Sequence, residues 1–455
     1  MAIKISACVI TKNEENNIAR WLQCMNACAD EMIVVDTGSN DATVAMAEAA
    51  GAKVYHFEWI NDFSAAKNYA LEQATGDWIL FLDADEYFTE KSQKKIRAEL
   101  QRFDRDEDVA CLLCRLINID SGNDNRIIST ILLPRVFRNS PCIRYKWPIH
   151  EQLENNCGNK KMVFASELEI LHTGYSEVKI RSKYERNMAI MLHELETAKS
   201  ERERLRLYPY ITDAYNSIDD YENAIKYARK CIDNNLQIIG SESKFYGIIS
   251  LAMYNSKADA EGTLSFIREA EERFPEEPFF EFVRGLVLFT EGDYAAAERA
   301  FVKGLDLRSI CDERMRAGEG VSDTSRGLLR HVYEKLGIIY DLKGNMSKAI
   351  DNLVMSLRYY RYRTEPLARL CYLLKSADPV EVIRLMDSIY DKQADADYLA
   401  PILGKYIGGK VFVYYGKHAN SVSQADLFMA VNRYEAASAL FAQDVREYIG
   451  TERPC

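Results

Sequence analysis

What this sequence lacks narrows it first. No uninterrupted apolar run approaches the roughly 20 residues that a helix needs to cross a bilayer. The N-terminal stretch MAIKISACVITKNEE enters a strand-like pattern with no secretory n-region or h-region ahead of it, so a cytoplasmic protein without a membrane span is expected. Positive charge is not in surplus. The 455 residues carry a net charge of −11 and a pI near 5.3, which removes any general attraction to nucleic acid or anionic lipid. No GxGxxG follows the first strand, and neither GxxxxGKS nor GxxxxGKT occurs, so dinucleotide and P-loop readings lose their main support. The eleven cysteines form no regular framework and most lie in apolar patterns, so reduced, buried thiols are expected. Cys111 and Cys114 form a CxxC, but inside the strand-like VACLLCRLI and without a second pair, which argues against zinc or redox chemistry. No Gly/Ser-rich or Pro-rich linker is visible, so the parts of the chain are expected to pack together.

What is present reads as a soluble globular protein, with 47% apolar and 28% charged residues and a length that suggests about two to four domains. Two grammars divide the chain. Up to about residue 120, strand-like and helical patterns alternate. KISACVIT, EMIVVDTG, AKVYHFEW and WILFLDADE read as strands, separated by EENNIARWLQCMNACA, DATVAMAEAAG and DFSAAKNYALEQATG as helices. Ile18, Leu22 and Met25 share one apolar stripe, and Asp41 and Gly51 read as cap and stop of the second helix. Such alternation implies a mainly parallel sheet covered by helices. From about residue 200 the pattern is wholly helical and repeats itself. Gly285, Ala297 and Phe301 recur as Gly337, Ala349 and Leu353, with weaker copies around Ala224 and Ala437, a spacing that resembles tetratricopeptide helix pairs. Residues 177–206, dense in charge, read as a connecting helix. The expected domains are 1–198, α/β with 177–198 beginning that helix, and 199–455, all-α helical repeat.

In open α/β sheets ligands bind beyond the carboxyl ends of the strands, and the polar residues cluster there. Thr11, Lys12, Asn13 and Glu14 follow the first strand, Asp36, Thr37 and Ser39 the second, and Asp83, Asp85 and Glu86 the fourth. Burying unpaired carboxylates costs several kcal/mol, so FLDADEY must face solvent, a cation or both. Carboxylates two apart at a strand end suit a divalent cation carrying a diphosphate, which hard oxygen ligands hold.

Read in order, ISACVITKNEE, EMIVVDTGSNDAT, DFSAAKNYALEQATGDWILFLDADE, WPIHEQL and LHTGY resemble a family 2 glycosyltransferase of the nucleotide-diphosphosugar-binding (type A) fold, over about residues 3–190. Within that family the chain is similar to enzymes that join this domain to tetratricopeptide-like helices, among them sublancin-type peptide S-glycosyltransferases and flagellin glycosyltransferases. The resemblance implies an inverting transfer of a hexose or N-acetylhexosamine from a UDP-sugar, UDP-glucose or UDP-GlcNAc, with Mn²⁺ or Mg²⁺. It implies that Thr11 and Glu14 line the uridine pocket, that Asp36 holds uracil or ribose, and that Asp83 touches ribose or metal. Asp85 is implied as a direct metal ligand and His172, in ILHTGY, as a third ligand. Lys67 and Asn68 stand where the family often has Arg-Asn, so Lys67 is expected at the diphosphate without bidentate geometry. His150 and Glu151 are the candidates for the group that takes the acceptor's proton, Glu151 being favoured as base. Glu86 and Trp147 are open between site and packing, and His56, His193, His331 and His418 receive no role.

Three functions fit these features. The first is glycosylation of a Ser, Thr or Cys side chain in a peptide or protein, a bacteriocin-like peptide or a flagellin, held by the repeats. The second is transfer to lipid-linked or envelope saccharides with the repeats binding a protein partner. The third is a non-catalytic scaffold, against which the joint presence of Asp36, Asp83, Asp85, His150, Glu151 and His172 argues.

Overall fold

The computed structural model describes residues 3–120, 126–156, 158, 161–173, 177–236, 243–316 and 324–430. The chain divides into two compact units, residues 1–218 and 219–455.

The first unit is built on an eight-stranded sheet in the order β3-β2-β1-β4-β7-β6-β10-β5. Strands β1 (Ile5–Thr11), β2 (Glu31–Asp36), β3 (Lys53–His56) and β4 (Trp78–Phe81) run parallel. Beyond β4 the sheet is mixed: β7 (Arg126–Arg138) is antiparallel to both β4 and β6 (Val109–Asp120), β10 (Lys161–His172) is parallel to β6, and β5 (Glu86–Phe88) closes the edge antiparallel to β10. A separate ribbon pairs β8 (Ile143–Lys146) with β9 (Gln152–Asn155).

Alternation along the strands sorts the core. Ile5, Ala7 and Val9 of β1 pack on one face with Ile18, Trp21 and Met25 of helix α1 (Ile18–Cys28), while Cys8 packs on the other with Ala70 and Leu71 of α3 (Phe63–Gln73). The same parity separates the two CxxC thiols. Cys111 lies in one face's core and Cys114 in the other's, both free and buried, so no single ligand could bridge them. Cys142 departs from the expectation of reduced thiols: it is disulfide-bonded. It sits outside the apolar runs, at the mouth of the β8–β9 ribbon, where its carbonyl accepts from Asn156 N at 2.9 Å.

Helix α2 (Thr43–Ala49) begins where Asp41 accepts from Thr43 N at 3.0 Å, and it is followed by Gly51 at φ +81°. The acidic run WILFLDADE is not one strand. β4 ends at Phe81 and β5 begins at Glu86, so Asp83 and Asp85 lie in the link between them. After α4 (Glu90–Asp104), the connecting segment is also divided, into α5 (Glu177–Thr197) and α6 (Glu201–Ser217), because Ser200 and Glu203 form a capping box that starts a new helix.

The second unit is helical, from α7 (Tyr221–Asp233) through α8 (Lys244–Asn255) and α9 (Ala260–Arg273) to later pairs. α10 (Pro278–Thr290) and α11 (Tyr294–Arg316) meet across Gly285, where an added Cβ would lie 2.5 Å from the Phe301 ring. α12 (Leu329–Leu342) and α13 (Met346–Tyr359) repeat the arrangement with Gly337 against Leu353. Gly292 and Gly344, at φ +83° and +71°, make the two tight turns. The unit continues through α14 (Thr364–Leu374), α15 (Pro379–Asp387), α16 (Ala396–Tyr406), α17 (Gly409–Gly416) and α18 (Gln424–Ala430). The repeat expected around Ala437 lies outside the described residues.

Candidate functional site

A cleft of about 860 Å³ opens beyond the carboxyl ends of β1, β2 and β4. Thr11, Glu14, Lys67, Asp83, Asp85, His150, Glu151 and His172 all line it, so the structure gathers in one place most of the residues the sequence singled out. Asp36 and Asn68 are placed elsewhere. Asp36 is buried and turned into its own loop, where its carboxylate accepts from Gly38 N and Ser39 N at 3.0 Å each; its neighbour Thr37 faces the cleft instead. Asn68 spends both ends of its amide on the backbone of Tyr145, at 2.8 and 2.9 Å, and so fastens β8 to α3. A side-chain amide can satisfy a strand's backbone, and Asn68 does so here.

The loops after β1 and β2 are tied together. Asn13, in the left-handed region at φ +55°, donates its N–H to Ser39 Oγ at 2.9 Å, and Asn40 N donates to Asn13 Oδ1 at 2.9 Å. Glu14 N donates to Thr43 Oγ1 at 2.8 Å, and Glu14 Oε2 accepts from Asn17 Nδ2 at 2.7 Å. Thr11 lies at the cleft wall, and its buried hydroxyl has no hydrogen-bond partner in the protein.

A charge network forms the floor. Lys67, on α3, is 3% exposed, with Nζ 3.2 Å from Asp83 Oδ1 and 2.6 Å from Glu151 Oε1. Burial pulls its pKa down, but the Asp83 and Glu151 carboxylates more than reverse this and raise it. Arg135, from β7, reaches Asp83 Oδ2 at 2.7 Å and bonds Glu86 Oε1 as well. Its position inside the apolar run ILLPRVFR gave the only sequence signal, a cation where a buried strand has no use for one. Despite burial, Arg135 and Lys67 hold the Asp83 carboxyl well below the usual range. Burial pushes Glu86 up to about 7, with Arg135 pulling down and Asp83 pushing up; Glu86 Oε2 also accepts from Asp83 N at 3.1 Å.

On the far side Asp85 Oδ2 stands 3.3 Å from His172 Nε2, and His172 Nδ1 is 2.8 Å from Asn118 Oδ1. With Nδ1 donating to that amide oxygen, the Nε2 lone pair faces a carboxylate, two acceptors reconciled only by a proton or a cation. The proton accounts for the raised His172 pKa, since the Asp85 interaction overcomes burial. A divalent cation would take its place; the carboxylate suits Mn²⁺ or Mg²⁺, and the imidazole, a softer ligand, favours Mn²⁺ of the two. Asp83, the other expected ligand, is committed to Lys67 and Arg135, and among the described residues no group of three or more His, Cys, Asp or Glu stands ready to hold a metal.

The loop carrying His150 and Glu151 is strained. Trp147 and His150 take φ of +81° and +51° without being glycine, at a cost of about 1–3 kcal/mol each. Ser64 Oγ donates to the Trp147 carbonyl and Phe63 N to that of Pro148, the latter at 2.8 Å. The Trp147 ring lies under the Arg206 guanidinium at 4.2 Å, so its ring face is taken by packing. Burial, with Arg206 adding to it and Glu151 opposing, lowers His150 to about 4, so the imidazole is neutral near pH 7.

Comparison with known proteins fits this picture. Residues 6–167 match the model for glycosyl transferase family 2, and residues 213–237 that for a tetratricopeptide repeat. A TPR repeat-containing protein of Synechococcus elongatus, Synpcc7942_0270, is 40% identical over 34% of this chain and 36% of its own length. The SPbeta prophage-derived glycosyltransferase SunS of Bacillus subtilis is 30% identical over 50% of this chain and 53% of its own. The matched region thus spans about a third to a half of these relatives. The solved structure of TarS from S. aureus aligns over 59% of this chain and 55% of that chain at 18% identity, with a TM-score of 0.33, too low to carry an argument.

Proposed function

We propose that this chain, which carries a family 2 glycosyltransferase domain over residues 6–167 and a tetratricopeptide repeat over residues 213–237, is a metal-dependent inverting glycosyltransferase. It moves a hexose or N-acetylhexosamine from a UDP-sugar, UDP-glucose or UDP-GlcNAc, to a Ser, Thr or Cys side chain of a peptide or protein held by the helical repeats. The observation that carries the reading is the convergence of Thr11, Lys67, Asp83, Asp85, Glu151 and His172 on one cleft at the strand ends of the matched domain. The tetratricopeptide match favours a polypeptide acceptor, since stacked helix pairs offer an extended surface to peptides.

In this reading Thr11 and Glu14 receive the nucleoside, and the cation is held by Asp85 and His172, with Asp83 beside them. Bound Mn²⁺ or Mg²⁺ supplies charge stabilisation to the diphosphate as it leaves. The acceptor oxygen or sulfur forms a bond to the anomeric carbon while the bond from that carbon to the diphosphate oxygen breaks, and the electron pair departs with UDP. The acceptor's proton goes to Glu151, with neutral His150 beside it. Lys67 stands between Glu151 and Asp83, a point charge that fixes the base and adds positive potential near the leaving group.

The test is release of UDP from UDP-glucose or UDP-GlcNAc with Mn²⁺ and water as acceptor, followed by intact mass of candidate peptides. Slow release abolished in a folded Asp85→Ala variant, and a hexose or N-acetylhexosamine increment on peptide, support the reading. Absence of nucleotide binding by the wild-type chain overturns it in favour of a scaffold. Transfer only to lipid-linked saccharide favours the second alternative.

A further inference from the structure

The family match ends at residue 167, yet the strained loop 147–151 is gripped by residues well beyond it. On α6, Arg206 and Tyr210 are one helical turn apart and share a face. Arg206 Nη1 donates to the Ile149 carbonyl at 3.3 Å, while Nη2 bonds both carboxylate oxygens of Glu194 on α5, at 3.0 and 3.1 Å. Its guanidinium covers the Trp147 ring at 4.2 Å, and its side chain is 13% exposed. The Tyr210 ring stacks on His150 with centroids 3.8 Å apart and planes at 10°. Thus both left-handed residues of the loop, and a carbonyl between them, are engaged by two side chains of one helix, while the start of α3 holds the other side through Ser64 and Phe63.

Backbone in that region relaxes unless its surroundings over-determine it. We infer that Arg206 and Tyr210 are positioning residues that hold loop 147–151 in the conformation presenting Glu151 to the cleft, making α6 part of the transfer machinery although it lies outside the matched domain. This rests on the proposed role of Glu151, but the positioning is also a statement about the free protein. Neither residue touches the reacting atoms. Both act through the loop, and displacement of a reacting group by about 1 Å costs on the order of 10²-fold in rate.

The experiment compares wild type, Tyr210→Ala and Tyr210→Phe, with Arg206→Lys as a second site. UDP release from UDP-glucose with Mn²⁺ is read as kcat and KM, alongside hydrogen exchange of amides 149–152 without substrate. The expected result for Tyr210→Ala is a kcat lower by about 10- to 100-fold, a donor KM within about twofold, and faster exchange confined to the loop. Tyr210→Phe, which keeps the stacked ring, recovers most of both. Arg206→Lys, which keeps charge but loses the fork, lowers kcat with the same KM pattern. The inference is overturned if Tyr210→Ala exchanges like wild type in the loop, or if KM and kcat change together with global loss of protection. Should wild type release no UDP, the transferase reading fails, while the exchange data still decide whether α6 holds the loop.

Discussion

Both units bury charge, but they balance it differently. In the helical unit, Glu281 is 2% exposed and meets Arg284 and Lys303, and Glu334 is 5% exposed and meets Lys335 and Arg363. Glu281 and Glu334 thus each meet two cations, although Arg284 also serves Glu271. At the cleft of the sheet unit, the carboxylates of Asp83, Glu86 and Glu151 share Lys67 and Arg135, while Asp85 meets His172, and Lys12 and Arg186 stand elsewhere on the lining. A paired cluster braces packed elements, whereas a network of shared cations on the floor of an open cleft is the arrangement expected of a functional site. The contrast separates structural from functional buried charge without appeal to likeness.

Removing a shared cation is the strongest way to test the contrast. Lys67→Met leaves Asp83 and Glu151 without their shared ammonium, with an expected loss of about 3 kcal/mol of stability and about 10²–10³-fold in UDP release. The counterpart Lys335→Met leaves Glu334 still bonded to Arg363, and less than about 1 kcal/mol is expected. Chemical denaturation of both variants decides; equal losses would dissolve the distinction.

Packing gives the next effect. Gly285→Ala forces a Cβ to within 2.5 Å of Phe301 and is expected to cost about 1–3 kcal/mol, with UDP release by the remaining folded protein unchanged. A matching loss of donor turnover would mean that the helical unit shapes the donor cleft as well.

These two sets of residues were not equally legible. Period-2 and helical patterns marked β1 to β4 and the helices between them, because continuous apolar runs bounded by Gly and Asp turns leave little choice. Gly285 and Gly337 were visible for a similar reason: close approach demands a missing side chain at a repeated spacing. β6 was read only as the strand-like VACLLCRLI, and the long β7 and β10, with Arg135 and Asn118, were not read, since the partners of a mixed sheet are set by distant pairings that no local pattern records. Asn68 was legible as a residue type, but its motif does not carry the direction its amide faces. Tyr210 carried no signal, as a tyrosine in a charged helix looks like surface until the loop it supports is known.

The smallest effect compares one histidine from each unit. Burial first, with nearby arginines adding, lowers both His150 and His331 from 6.5 to about 4. Between about pH 4 and 6.5 the unfolded chain therefore binds protons that the folded chain refuses. The contribution is fully present above that window and is lost as pH falls through it. His331→Gln is expected to flatten the acid side of the denaturation midpoint by less than about 1 kcal/mol after solvent screening, and His150→Gln to do the same for the sheet unit. A midpoint whose acid slope ignores both substitutions would remove these groups from the account.

The central claim is that Asp85 and its neighbours at the strand ends take a cation bound together with a nucleoside diphosphate. Titration calorimetry of UDP into the full chain, with Mn²⁺ and then with chelator, tests it most directly. The account predicts affinity at least about tenfold higher with Mn²⁺ for wild type and no such gain for Asp85→Ala. Identical affinity under both conditions in wild type, or no UDP binding in either, would contradict it.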